Sequence, residues 1–152
     1  MHDCLVCERI ELTRRGENPF FVRETKTGYV VIGDFQRIEG YTVFICKEHA
    51  CELWELPHDF RAKFLMEMAA VAEAVARAFH ADKMNCELLG AGRGKHLHWH
   101  LFPRRAGETP DPGPVWRLPK EELNSCRPSP EKLAELKAAL TAALEECGIQ
   151  HA

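Results

Sequence analysis

The sequence predicts an α+β fold: a five-stranded antiparallel sheet with one long amphipathic helix packed on it, followed by a proline-rich tail and a C-terminal helix. Three observations carry this. Short runs rich in β-branched and aromatic residues follow one another at intervals that suit antiparallel neighbours. Between Pro57 and His80 the apolar spacing changes to three and four, the period of a helix. Around His96, His98 and His100 polar and apolar residues alternate strictly, the signature of a half-buried strand.

Taken in order, the chain opens on Cys4-Leu5-Val6-Cys7, a spacing that lets two thiolates reach one zinc ion from a tight turn. A redox pair or two ordinary thiols are the competing readings. Residues 8–18 are charged and end in a turn signal at Asn18-Pro19. Residues 20–24 and 29–32 read as two strands joined at Lys26-Thr27-Gly28, and 40–46 as a third, which ends before Lys47-Glu48-His49. In the long helix Phe60, Phe64, Met68, Val71, Val75 and Phe79 form a stripe facing the sheet, and Met66 and Met68 read as core filler. Residues 83–89 make the fourth strand. The glycine-rich stretch 90–94 then feeds the histidine strand, whose Leu97, Trp99 and Leu101 turn towards the core. Residues 107–114, with three prolines, form an extended surface segment anchored by Trp116. The last helix starts at Ser129-Pro130, buries Leu133, Leu136, Leu140 and Leu144, and stops at Gly148.

Length and composition bound the function. A chain of 152 residues can bury a core without disulfide staples, and seven cysteines, an odd number, do not make a complete disulfide framework. A net charge of -3 offers no basic field for nucleic acid, so any anion site is local. No apolar run approaches the roughly 20 residues needed to span a bilayer, and no signal peptide is recognisable, so a cytoplasmic protein without membrane partners is expected.

The run His96-Leu97-His98-Trp99-His100-Leu101-Phe102 resembles the motif of the histidine-triad (HIT) nucleotide hydrolases and transferases. The likeness extends through the order strand, strand, Gly40-initiated strand, Lys47-Glu48-His49, long helix, strand and triad. It covers residues 4–105 as a HIT-like domain; residues 106–152 look like a C-terminal extension, packed on the same domain, found in one bacterial branch. What the resemblance implies is specific. The middle histidine, His98, attacks the α-phosphorus of a purine nucleotide to give a covalent nucleotidyl-histidine, and a neutral imidazole suits that task. His100, about 7 Å along the same strand face, assists at the phosphate oxygens or leaving group. Backbone N–H groups of Gly92, Arg93, Gly94 and Lys95 cradle developing charge, and Arg93, Lys95 or Arg104 adds positive field. Asp34 holds the ribose hydroxyls, although a turn aspartate beside Gly33 explains it equally well. Phe20, Ile32 and Phe35 are candidates for the base pocket.

In zinc-containing relatives the metal is held by the positions matching Cys4, Cys7, His49 and His96, a set suited to a closed structural site; no organic cofactor is implied. Relatives form homodimers through the long helix and the neighbouring strand. Two departures stand out: Tyr41 occupies a position where many relatives carry histidine, and residues 91–95 lack the side-chain amide that many relatives carry in that loop. Two rival readings remain open: a zinc-dependent hydrolase using the histidine strand, and a nucleotide-binding module without turnover.

Overall fold

A computed structural model describes residues 3–110 and 113–152. Asp111 and Pro112, within the expected extended segment, lie outside the described residues. The five expected strands are β1 (Phe21–Glu24), β2 (Gly28–Ile32), β3 (Thr42–Cys46), β4 (Lys83–Glu87) and β5 (His98–Arg104). They form one sheet in the order β1-β2-β3-β5-β4, with every neighbouring pair antiparallel. The register sets Ile45 opposite His98 and Val43 opposite His100, and across the other edge of β5 it pairs His100 with Glu87. Gly40 turns the chain into β3 with φ +91°; a side chain there would collide with the Phe79 ring.

The sheet's first face is the main core. It carries α2 (His58–Ala78), whose Phe64, Val71 and Val75 are fully buried, and α4 (Pro130–Glu146), which adds Leu136, Leu140 and Leu144 to the same cluster. Ser129 caps α4 by accepting the Lys132 amide, and Pro130 occupies its first turn. The C-terminal helix thus completes the hydrophobic core. Leu97 and Leu101 are buried here as well, with Trp99 packed beside them.

The structure corrects four details. The charged stretch after Cys7 is helical: α1 (Leu5–Arg14) lies on the second face of the sheet, where Ile10 is its buried residue beside Tyr29, Val31 and Ile45. So narrow an apolar contact leaves little periodic signal. His96 precedes β5 instead of beginning it. Met66 is 72% exposed, because the apolar stripe of α2 passes through Met68 and misses its neighbour two residues earlier. Trp116 does not anchor the tail. Val115, 1% exposed, does so against Ile38 and Phe102, and Trp116 is left 70% exposed.

No helix among the described residues is long and apolar enough to cross a membrane.

Candidate active site

Four candidate ligands, two cysteines and two histidines, converge at the start of α1. Cys4 caps the helix, its Sγ accepting the Cys7 amide, so the two thiols sit on one opening turn. His49 arrives from the segment after β3 and His96 from the segment before β5. The four ligand atoms all lie within 4.8 Å of one another. Cys7 Sγ is 3.1 Å from His49 Nδ1 and 3.4 Å from His96 Nδ1. Tetrahedral zinc with its usual bond lengths separates sulfur and nitrogen ligands by about 3.5 Å, so the cluster fits that ion. The tautomer fits too: His96 Nε2 lies 2.8 Å from the Cys46 carbonyl, which only accepts, so Nε2 carries the proton and Nδ1 keeps its lone pair for a metal. Burial, and then the neighbouring Cys4, push the Cys7 thiol up to about 11. A bound dication reverses that preference by stabilising the thiolate.

The carbonyl of His96 links this cluster to His98. His98 Nδ1 is 2.7 Å from it, and the same reasoning puts the proton on Nδ1 and a free lone pair on Nε2. Burial lowers the His98 pKa, which keeps the ring neutral at neutral pH. Its ring meets that of His100 edge to face, with centroids 4.7 Å apart. His100 Nδ1 lies 2.6 Å from the Tyr41 hydroxyl, and burial holds its pKa down at about 4.

His98 lines two cavities. A groove of about 730 Å³ crosses the second face of the sheet between α1 and the tail; Arg9, Asp34, Phe35, His100, Trp116 and Lys120 also line it. A cavity of about 370 Å³ is lined by Cys51, Glu52, Gly90, Lys95 and both His96 and His98. The larger is of the size that takes small organic ligands. Glu87, opposite His100, also lines the groove, and its Oε1 has no hydrogen-bond partner among the described residues. Burial raises its pKa.

The other expected site residues are distributed as follows. Asp34 reaches the groove with both oxygens held by Arg9 at 2.7 Å, a fork-to-fork pair. Gly92, Arg93 and Gly94 form a single 3₁₀ turn. The Arg93 guanidinium is ion-paired to Asp3 and Glu8, so its charge ties this turn to α1. Arg104 is buried and paired with Glu108, and it donates to the Gly113 carbonyl, holding the tail to the sheet. Ile32 is fully buried in the main core, and Phe20 packs between the two clusters with the Arg9 guanidinium 6.0 Å from its ring centre. Phe35 lies in the groove wall, 5.1 Å from the Arg127 guanidinium.

Sequence reading missed Arg9, Glu87 and the groove face of Trp116. Arg9 stood in a charged run with no partner in view, and only α1 folding across the sheet brings it to Asp34.

The sequence pattern of the family described as "HIT domain" matches residues 15–107. The adenosine 5'-monophosphoramidase HNT1 of Saccharomyces cerevisiae is 29% identical over 150 residues, covering 93% of this chain and 83% of its own. Among solved structures, a histidine triad protein from Marinobacter aquaeolei superimposes with a TM-score of 0.70 at 27% identity, covering 83% of this chain and 88% of its own. A zinc-bound histidine triad family protein from Mycobacterium smegmatis has a TM-score of 0.63 at 24% identity over 94% of each chain.

Proposed function

The chain belongs to the HIT-domain family, and on that footing we propose that it is a nucleotide hydrolase or nucleotidyl transferase acting at the α-phosphorus of a purine nucleoside phosphoramidate or dinucleoside polyphosphate. The observation that carries the reading is the contact between His98 Nδ1 and the His96 carbonyl, which leaves Nε2 as a nucleophile in a ring that lines both cavities. The yeast phosphoramidase relative supports the hydrolytic chemistry.

In this reading His98 Nε2 attacks the α-phosphorus. A P–N bond to the histidine forms as the bond to the leaving group breaks, and the leaving group departs with the electron pair and takes up a proton. Water or another acceptor then attacks the same phosphorus, releases the nucleotide and restores the free imidazole. His100 stands beside the reacting ring and serves the phosphate oxygens or leaving group. The groove holds the nucleoside. Asp34, oriented by Arg9, retains lone pairs beyond the two that Arg9 engages, and these accept from the ribose hydroxyls. Phe35 contributes to the base wall, while Phe20 and Ile32 support that end of the sheet from beneath. Backbone N–H groups of residues 92–95 and the Lys95 cation, which lines the smaller cavity, serve the phosphates and leaving group.

Cys4, Cys7, His49 and His96 would hold a structural zinc ion. Bound there, zinc supplies folding energy by tying α1 to the segments before β5 and after β3. His96 is itself buried and its ring nitrogen lies within 4.8 Å of the ligand atoms of Cys4, Cys7 and His49, which disfavours the rival in which the histidine strand itself carries a catalytic metal. The protein is expected to work as a cytoplasmic homodimer, pairing through α2 and the adjacent sheet edge at β4.

The experiment is a rapid quench with radiolabelled adenosine phosphoramidates and diadenosine polyphosphates. An acid-labile, alkali-stable label on His98, absent in His98→Ala with zinc content unchanged, is the expected result. Tight nucleotide binding with no turnover on any of them would establish the binding-module alternative, and loss of zinc in His98→Ala would favour the metal-dependent one.

A further inference from the structure

Tyr41 stands where many relatives carry histidine, yet the structure gives it a definite partner. Its hydroxyl is 2.6 Å from His100 Nδ1, a short contact even for a good hydrogen bond. The ring is clamped on both sides. It stacks on Phe102 with centroids 4.3 Å apart and planes 6° apart, and it lies so close to the Gly33 backbone that a side chain on Gly33 would overlap it. Its backbone carbonyl also accepts the Gly33 amide at 2.8 Å, so the start of β3 is fixed on the chain that leaves β2. A ring held this way gives its hydroxyl one position.

Two hydrogen arrangements fit a 2.6 Å contact between a phenol and a neutral imidazole: the phenol donates to Nδ1, or Nδ1 donates to the phenol. Donor and acceptor strengths choose between them. A phenol O–H is a stronger donor than an imidazole N–H, and an imidazole lone pair is a stronger acceptor than a phenol oxygen, so the hydroxyl donates to Nδ1 across the 2.6 Å contact. The single N–H of the neutral ring is then on Nε2. Burial keeps Tyr41 a phenol, which retains the proton to donate.

We propose that Tyr41 is a positioning residue for the reaction: by donating to Nδ1 it fixes His100 in the Nε2–H tautomer and presents that N–H beside His98. The inference rests on the nucleotidyl-histidine reading for its catalytic consequence, but the tautomer itself does not. A phosphate oxygen or leaving atom entering beside His98 would accept a hydrogen bond from that N–H. The titratable groups that share the groove with this donor include His98, whose ring meets that of His100, Glu87, opposite His100 in the β4–β5 ladder, and the Arg9–Asp34 pair.

The test is long-range ¹H–¹⁵N correlation spectroscopy of histidine-labelled protein, with His100 assigned by its loss in His100→Asn. The expected result is an Nε2–H tautomer for His100 in the parent protein and a shift towards a tautomer mixture in Tyr41→Phe, whose ring still stacks on Phe102. On the same substrate Tyr41→Phe lowers kcat about tenfold, the value of one hydrogen bond of ordinary strength, and leaves KM within about twofold. An Nδ1–H tautomer in the parent overturns the proposal, and so does a Tyr41→Phe protein whose His100 tautomer is unchanged, whatever its activity. If no nucleotide is turned over, the function above fails while the spectra still decide the role of Tyr41.

Discussion

Acidification tests the buried state of His100 directly. Its pKa in the folded protein is about 4, held down first by burial and then by His98, against 6.5 for the free side chain. The folded pKa lies below the unfolded one, so the unfolded chain takes up a proton between these values and the folded protein does not. The contribution to stability is therefore complete above about pH 6.5 and is lost as pH falls towards 4. The depression corresponds to about 3 kcal/mol in full, and about 2.5 kcal/mol of it is gone between pH 7.5 and 4.5. The assay is urea unfolding of the parent and of His100→Asn at both pH values. Loss of zinc and the titration of other groups affect both proteins and largely cancel in the difference. The parent is expected to lose about 2.5 kcal/mol more than the variant. A difference below about 0.5 kcal/mol, or one of opposite sign, would refute the assignment of a neutral, buried His100.

Two further outcomes follow from the same geometry. Cys7→Ser, which removes the atom in contact with both histidines, is expected to lower zinc content to well under one per chain and to reduce Tm; zinc should no longer raise Tm in this variant, as calorimetry with and without added zinc will show. Arg9→Met leaves Asp34 in the groove without its fork. A part-exposed pair of this kind is worth about 1 kcal/mol, so stability falls modestly, while discrimination between ribo- and 2'-deoxyribonucleotides, measured as the ratio of kcat/KM values, changes several-fold. An unchanged ratio would remove Arg9 and Asp34 from sugar recognition.

Strong local signals carried much of the fold. Runs of β-branched and aromatic residues located β1, β2 and β3, the alternation of histidines with apolar residues located β5, and the three-and-four spacing located α2 and α4, because a buried face imposes its period on the sequence. Failure came where burial was narrow. α1 buries little beyond Ile10 and owes its start to a cysteine cap, so its charged sequence resembled a loop. Trp116 misled for a related reason: a large apolar residue suggested an anchor, but the smaller Val115 is the one the tail inserts against Phe102.

For the site, the resemblance to the HIT family nominated Cys4, Cys7, His49 and His96 as metal-ligand candidates and His98, with His100 beside it, as the proposed nucleophile, and the structure brings the four ligand atoms within 4.8 Å of one another. Spacing along one strand says which histidines are close, and C-x-x-C says which thiols share a turn. The division of labour among the histidines depends on partners far away in the chain. His96 meets Cys7 across 89 residues and donates to the carbonyl of Cys46, His98 takes its tautomer from the peptide carbonyl of His96, and His100 meets Tyr41 across 59 residues through the register of β3 on β5. By itself the sequence determined the chemistry available to this protein, since donors, thiols and imidazoles are properties of residue type. Which nitrogen of each ring carries the proton, and which charge faces the groove, only the tertiary structure decided, because hydrogen bonds of under 3 Å depend on placements that no local pattern encodes.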